Sequence, residues 1–366
     1  MYKVITSLLF SCSLTFASLV GSNFNQRDLL ILKELDIEPS YITDYKLQKT
    51  YDRFLHRAQS RYVEKLNDAS LFVPQIKQIL REENIPSSFI YLAMAESYLT
   101  ISAKSNAKAV GIWQFIPSTG RNYGLKNNLY IDERMDLVKS TYAASRYLKN
   151  LHKKFGKWYL AAVAYNCGEG RVIEAITRAT IDMYVADKGK NHNKKEISHY
   201  RQVIKDYQKK RVRFSALYKV YKSVRKWEYK PDVYELLIVQ KGLGRQYLPK
   251  ESRVYLRKII SLGMMNNREF ISTDNNSHLL NIGTTSSIAT IYVKGGMHLK
   301  NIAQVVGMDY KELSNLNKHV KRYIIPPIEK KYPLYIPYSR LSRFNANKDS
   351  LKETTYAVHI VKRGDS

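Results

Sequence analysis

The chain has few cysteines for its length. Only 2 Cys occur in 366 residues, at positions 12 and 167. If the N-terminal segment is removed on export, Cys167 remains alone, which excludes a disulfide framework and a cysteine-based metal site. The fold must therefore rest on its hydrophobic core, and we predict no metal or other cofactor.

Acidic residues are also scarce. The 32 Asp and Glu face 60 Lys and Arg, which gives a formal net charge of +28. Such a chain is attracted to polyanions or acidic surfaces, although a generally basic proteome explains the charge equally well. The basic residues are dispersed, and even the densest runs, 188–195 and 209–211, do not form a clustered basic and aromatic motif. We therefore expect no nucleic-acid partner.

The N-terminus lacks an apolar run long enough to span a membrane. Residues 4–16 are apolar after Lys3, but about 20 apolar residues are needed to cross a bilayer. The run ends in Thr15-Phe16-Ala17, a small-residue cleavage site, so residues 1–17 are predicted to be a signal peptide. Cys12 lies inside this segment and is a poor lipid-attachment match. We expect export to the periplasm or cell envelope, and association with the membrane stays open.

The remaining sequence shows helical spacing over most of its length. No sustained two-residue alternation occurs before the Asn- and Ser-rich stretch near residue 280, so the chain is predicted to be mainly α. The predicted divisions are a helical lead-in (18–70), a catalytic-sized unit (71–186), a basic helical extension (187–270), a linker (271–287), a small module (288–338) and a truncated start of a second such motif (356–366).

The small module is predicted to have the order strand, helix, helix, strand. The strands correspond to residues 291–293 and 334–336, and the helices to 299–306 and 310–317. A unit of this size is sufficient for binding and too small for much catalytic apparatus.

Glu96 is the strongest candidate for a catalytic group. It shares a helical face with Phe89, Leu92 and Ala93, so its carboxyl group is expected to lie against apolar side chains. Burial of that kind disfavours the charged form and raises the pKa toward that of a useful proton donor. A Glu that pairs with a Lys or caps a helix end is the alternative.

Two further segments carry polar groups within apolar sequence. Gln114 is the one amide side chain in residues 109–117, and it can donate and accept hydrogen bonds to a sugar. Tyr165 and Asn166 lie where an Ala-rich helix is broken before Gly168. Taken singly, each of these residues also has a purely structural interpretation.

Together these segments resemble the catalytic domain of family 1 lytic transglycosylases, in the membrane-bound type D branch. The resemblance covers residues 71–260 in order. Its motifs are Glu96-Ser97, Gly111-Ile112-Trp113-Gln114, Ala164-Tyr165-Asn166, Asp132-Glu133-Arg134 and Leu248-Pro249-Lys250-Glu251-Ser252-Arg253, with Ser105 resembling the active-site serine of the family. Ile112-Trp113 and Ser252 depart from the usual pattern without removing a proton donor or an amide.

The C-terminal module resembles a LysM module, a βααβ fold that binds N-acetylglucosamine-containing glycans. The motifs are Leu299, Ile302-Ala303, Leu313, Leu316-Asn317 and Ile336-Pro337. At its start the module has Gly295-Gly296-Met297 instead of Gly-Asp-Thr, and Val361-Lys362-Arg363-Gly364-Asp365-Ser366 fits that motif better. We expect the module to be a weak anchor to the cell wall.

The resemblance implies a lysozyme-like fold and a reaction on peptidoglycan glycan strands. Glu96 would act as the catalytic acid and base at the bond between N-acetylmuramic acid and N-acetylglucosamine, and the product would be a 1,6-anhydro end. Ser105, Gln114, Tyr165 and Asn166 would bind the substrate.

Two other functions stay open. A muramidase similar to goose-type lysozymes would share the fold and the single Glu but deliver water to the same bond. A non-catalytic scaffold would hold peptidoglycan through its basic surface and the LysM-like module.

Overall fold

A computed structural model describes residue 24 and residues 26–268 and 287–351. The predicted signal peptide and the truncated second motif lie outside these residues, as does the predicted linker except for Ser287. In the part of the chain that is described, no helix is both long and apolar enough to cross a membrane.

The described residues up to 268 form helices joined by loops and turns. The helices are α1 (Gln26–Glu34), α2 (Tyr45–Arg57), α3 (Gln59–Ala69), α4 (Val73–Glu82), α5 (Phe89–Ser97), α6 (Pro117–Asn122), α7 (Leu137–Phe155), α8 (Trp158–Cys167), α9 (Glu169–Lys188), α10 (Lys194–Gln208), α11 (Phe214–Val224), α12 (Val233–Leu237) and α13 (Lys250–Met265), with 3-10 turns at Pro39–Thr43 and Glu133–Met135.

Helix α7 shows how the sequence sets these boundaries. At its start, Asp136 accepts hydrogen bonds from the backbone N–H groups of Val138 and Lys139, which satisfies donors that the first turn leaves unpaired. At its end, Gly156 adopts a left-handed conformation with φ of 73° and closes the last turn onto the carbonyl of His152. Asp136 also has a second role at the junction with the C-terminal module.

Helix α13 lies at the centre of the helical part. It packs against α1, α2, α5 and α8, and most of its residues are buried. Gly263 permits close contact with α1, because a Cβ atom there would lie 2.0 Å from Ile31 Cδ1. The sequence prediction grouped α13 with a basic extension, whereas the structure makes it a part of the same core as the catalytic-sized unit.

The C-terminal module has the predicted strand, helix, helix, strand order. Its elements are β1 (Ile288–Val293), α14 (Leu299–Val306), α15 (Tyr310–Leu316), β2 (Tyr332–Pro337) and α16 (Leu341–Asn347), with 3-10 turns at Tyr338–Arg340 and Lys348–Ser350. The strands pair antiparallel, from Ile288 opposite Pro337 to Val293 opposite Tyr332. A mainly α chain with a small βααβ module is confirmed.

The module and the helical part share apolar side chains. Ile131, from the loop before α7, is buried in the hydrophobic core of the module. In return, Ile288, Leu316 and Tyr335 belong to the core of the helical part. Each hydrophobic core therefore contains side chains from the other part of the protein.

Buried polar contacts reinforce this junction. The hydroxyl of Tyr335 donates to Asp136 Oδ1 at 2.6 Å, and the backbone N–H of Asp132 donates to the carbonyl of His319 at 2.9 Å. His319 Nε2 lies 3.8 Å from Asp136 Oδ2, but burial lowers the pKa of His319, so the imidazole is neutral at pH 7. The module is held against the helical part by buried side chains.

Candidate active site

Glu96 lies in the last turn of a short, apolar helix. In α5, Leu92, Ala93, Met94 and Ala95 are all buried, and the helix ends where Tyr98 adopts a left-handed conformation with φ of 51°. Glu96 itself is half-buried. The carboxyl group therefore combines an apolar support with access to solvent, which an acid that meets a polymeric substrate requires.

Two side chains of α13 contact this region. The hydroxyl of Tyr255 donates to Glu96 Oε1 at 2.5 Å, and Lys258 Nζ donates to the carbonyl of Ala95 at 2.6 Å. Burial raises the pKa of Glu96, while the Tyr255 hydrogen bond and the charge of Lys258 act in the opposite direction and only partly offset it. The sequence predicted a raised pKa for Glu96 from its apolar surroundings, and the structure gives the same direction.

The apolar segment after α5 folds back on itself as a tight backbone loop. The N–H of Val110 donates to the carbonyl of Phe115 at 3.1 Å, and Trp113 is fully buried with its indole N–H donating to Thr141 Oγ1 at 2.9 Å. Gly111 has φ of 85°, and a Cβ atom there would lie 1.9 Å from the carbonyl oxygen of Arg134. Only glycine fits this position, because the backbone carbonyl of Arg134 packs directly against it and so holds the loop in place.

Gln114 is held in an unusual backbone conformation by its own side chain. Its φ is 49°, and its Nε2 donates to the carbonyls of Gly111 at 2.8 Å and Ala103 at 3.3 Å. Both amide protons are thus used within the loop. The group left for a ligand is the Oε1 acceptor, which narrows the donor and acceptor roles that the sequence allowed.

Tyr165 and Asn166 lie at the end of α8. The hydroxyl of Tyr165 donates to the carbonyl of Trp113 at 2.7 Å, which ties α8 to the Gln114 loop. Burial raises the pKa of Tyr165 well above its usual value, and the charge of Glu96 adds to the rise. Asn166 Oδ1 accepts from Ser252 Oγ at 2.9 Å, so Ser252 engages the acceptor of this amide and not its N–H donors.

Ser105 occupies a separate position. It is exposed, and its Oγ accepts the backbone N–H of Ala109 at 3.1 Å. The structure therefore brings Glu96 and Tyr165 together and links Gln114 to them through Trp113. Ser105 belongs to the same loop but makes no hydrogen bond with Glu96 among the described residues.

Sequence reasoning did not single out Tyr255 or Lys258. Ser252 was noted only within a motif. All three lie on α13, and Ser252, Tyr255 and Lys258 follow one another at three-residue intervals, which places them on neighbouring positions of a helix surface. That spacing predicts a shared helix surface from the sequence alone. Only the packing of α13 against α5 shows that this surface faces the region of Glu96.

Two known domain families match parts of the chain. The transglycosylase SLT domain matches residues 74–183, and the LysM-like domain of the lytic transglycosylase MltD matches residues 287–353. The first match ends before α13, so Tyr255 and Lys258 lie outside it.

Two curated proteins from Escherichia coli, strain K12 and strain O6:H1 CFT073, are similar to part of the chain. Both are named membrane-bound lytic murein transglycosylase D, and each is 49% identical over 98 residues. The alignment covers 26% of this chain and 22% of the relative. The matched part of the chain thus spans about a fifth of the length of these relatives.

Proposed function

We propose that this chain is an SLT-domain lytic transglycosylase of the MltD type and that it cleaves the glycan strands of peptidoglycan. The predicted resemblances of both the catalytic unit and the C-terminal module are confirmed by the two family matches. Similarity to the E. coli relatives, which are named lytic murein transglycosylases, supports the same activity in this chain.

The observation that carries the proposal is Glu96, a carboxyl group at the end of the apolar helix α5 that accepts a hydrogen bond from Tyr255 and whose pKa is raised by burial. The groups that shift the pKa of Glu96 are Tyr255 and Lys258, and no carboxylate of the described residues is among them. Most glycoside hydrolases use two carboxylates, one as the acid and one as nucleophile or base. Because no carboxylate is among the groups that shift the pKa of Glu96, we assign the second function to the substrate.

In the proposed reaction, Glu96 protonates the oxygen that joins N-acetylmuramic acid to N-acetylglucosamine. The bond from that oxygen to C1 of the muramyl sugar breaks, and the 2-acetamido oxygen stabilises the positive charge that develops at C1. The ionised Glu96 then removes the proton of the muramyl 6-hydroxyl, whose oxygen bonds to C1. The proton returns to Glu96, no water is consumed, and a 1,6-anhydro end results.

The other predicted residues have groups suited to binding the substrate. Gln114 Oε1 accepts from a sugar hydroxyl or acetamido N–H, and the amide of Asn166 donates to a sugar oxygen. Tyr165 fixes the position of the Gln114 loop, and the family resemblance assigns the acetamido group to Ser105. Each hydrogen bond to a charged or developing charge contributes about 1.5–3 kcal/mol, so loss of one slows the reaction without abolishing it.

The proposed location is the bacterial envelope. Export follows from the predicted signal peptide, and the E. coli relatives are named membrane-bound. A net charge of +28 favours association with acidic envelope polymers or membrane surfaces.

Mass spectrometry of the products tests the reaction type. Purified protein is incubated with peptidoglycan sacculi, and the released fragments are compared with those of a known muramidase. We expect the fragments to be lighter than reducing-end fragments by one water molecule. A predominance of reducing ends would instead establish the hydrolase, the goose-type-lysozyme-like alternative.

A further inference from the structure

A cleft of about 410 Å³ lies between the helical part and the C-terminal module. One wall comes from α3 and the loop that follows α5. The other comes from α15 and from Lys318 just after it, and includes Glu312 and Asn315. The volume is within the range of small-ligand pockets, about 300–1,000 Å³.

The two walls are held in a fixed relation to each other. Leu316 lines the cleft and is also packed into the core of the helical part. The buried hydrogen bond from Tyr335 to Asp136 holds the strand next to it. The cleft is thus formed by the fold itself.

The cleft begins directly beside the candidate active site. Tyr98 and Leu99, the first residues after α5, line it, and both have left-handed backbones with φ of 51° and 58°. Such conformations are strained outside glycine, and they persist only where the surroundings enforce them. Lys258 connects the two places, because its Nζ lies 4.9 Å from the centre of the Tyr98 ring and its charge acts on Glu96.

The lining is unlike a sugar-stacking surface. Arg61 and Lys258 lie over the Tyr98 ring, with the guanidinium carbon of Arg61 4.4 Å from its centre, and Phe72 is buried. Neither ring offers an open face on which a sugar could stack.

Charges of both signs line the cleft instead. Glu312 and Lys318 come from the module and make no ion pair among the described residues, while Lys65 and Asp68 come from α3 and are paired at 2.7 Å. Buried apolar side chains, among them Ile101, form the floor. A ligand that carries carboxylate, ammonium and methyl groups satisfies such a lining.

We propose that this cleft binds the stem peptide of peptidoglycan, a short peptide with free carboxylates and an amine, attached to the muramyl sugar. The proposal rests on the proposed function, since it places the peptide beside the glycan that Glu96 cleaves. Glu312 pairs with the ammonium group of the peptide and Lys318 with a carboxylate. The alanine methyl groups lie on the apolar floor.

Binding of the free peptide tests the cleft without requiring catalysis. The probe is the tetrapeptide alanyl-glutamyl-diaminopimelyl-alanine, titrated into the full chain by calorimetry. We expect Glu312→Gln and Lys318→Met each to weaken binding by about tenfold, as for loss of one charge-assisted hydrogen bond. Lys311→Met, at an exposed lysine of α15 that does not line the cleft, is the matched control and should leave binding unchanged. Equal affinity in all four proteins, or no binding by the unmodified chain, would overturn the proposal.

A cleavage assay provides the second measurement. The same variants are compared on glycan strands with intact peptides and on strands from which an amidase has removed the peptides. We expect kcat/KM to fall about tenfold in the cleft variants on peptide-bearing strands only. An equal fall on both substrates would mean that the cleft binds glycan and would overturn the proposal. If no protein cleaves either substrate while the tetrapeptide binds as expected, the proposed reaction fails and the peptide site stands.

Discussion

Glu96 and Asp136 are two carboxyl groups with the same type of partner and opposite surroundings. Each accepts a hydrogen bond from a tyrosine far along the chain, Tyr255 at 2.5 Å and Tyr335 at 2.6 Å. Asp136 lies at the start of α7 and accepts two backbone N–H groups as well, and it is fully buried. Glu96 lies at the end of α5 and remains half-buried.

The position of each carboxyl group in its helix explains why the same tyrosine hydrogen bond has a structural role at Asp136 and a chemical role at Glu96. The N-terminus of a helix stabilises a negative charge, and the C-terminus disfavours it. At Asp136 the carboxylate is held by the helix and by the module, which suits a junction. At Glu96 the apolar surroundings raise the pKa, which suits a proton donor. We therefore expect changes at the first site to affect stability and changes at the second to affect the reaction.

The largest difference should appear when each carboxyl group is removed. Asp136→Ala loses a helix cap, at about 0.5–2 kcal/mol, and leaves the buried Tyr335 hydroxyl without a partner, at about 1–3 kcal/mol. We expect its free energy of unfolding in urea to fall by about 1.5–5 kcal/mol. Glu96→Ala is the matched control and should lose less than half as much. Equal losses would contradict the distinction between the two sites.

Removing only the tyrosine hydroxyls should sharpen the comparison. Tyr335→Phe should lower the free energy of unfolding by about 1.5–3 kcal/mol, because a buried hydrogen bond to a charged group is lost. Tyr255→Phe should cost less stability, since Glu96 can take up a proton when its donor is gone. It should instead raise the pKa of Glu96 further, because the Tyr255 hydrogen bond favours the charged form.

The pH profile of kcat/KM measures this second effect. A general acid is active while protonated, so activity declines as pH rises through the pKa of Glu96. In Tyr255→Phe that decline should move to higher pH, and in Tyr335→Phe it should stay where it is. A shift to lower pH in Tyr255→Phe would contradict the assigned hydrogen bond.

Lys258→Met should give the smallest change. Its positive charge lowers the pKa of Glu96 less than the Tyr255 hydrogen bond does, so the profile should move to higher pH by a smaller amount. Lys250→Met, at an exposed position of the same helix, should leave the profile unchanged. An equal shift in both variants would show a general effect of net charge rather than a local one.

Much of the fold was predictable because the hydrophobic periodicity is local. Helical spacing gave the mainly α class, and a short apolar stripe placed Glu96 against Leu92 and Ala93. The order of elements in the module followed from the same kind of pattern. These signals need only neighbouring residues.

The rest depends on contacts between distant parts of the chain. Asp136 looks in the sequence like an ordinary helix cap, and nothing local indicates that Tyr335 binds it. Tyr255 is 159 residues from Glu96 along the chain. The hydrophobic periodicity of α13 therefore identifies its buried face but does not identify the residues that this face contacts. The domain boundary predicted at residue 186 lies within helix α9. It also assigns α13 to a different unit from the helices of the core into which α13 packs.

The most direct measurement of the central claim is the rate at which Glu96→Gln releases soluble fragments from peptidoglycan sacculi at pH 7. The variant keeps the shape of the side chain and removes the proton donor, so the rate should fall by about 10²–10⁴-fold. Thermal unfolding gives the control. The folded protein holds the Glu96 proton more tightly than the unfolded chain does, so the stability of the unmodified protein falls as pH rises above about 4.5 through the raised pKa. The variant has no proton to lose at this position and avoids that loss of stability. Its melting temperature at pH 7 should therefore equal or exceed that of the unmodified protein. Release within about tenfold of the unmodified rate by a folded variant would contradict the assignment of Glu96 as the catalytic acid.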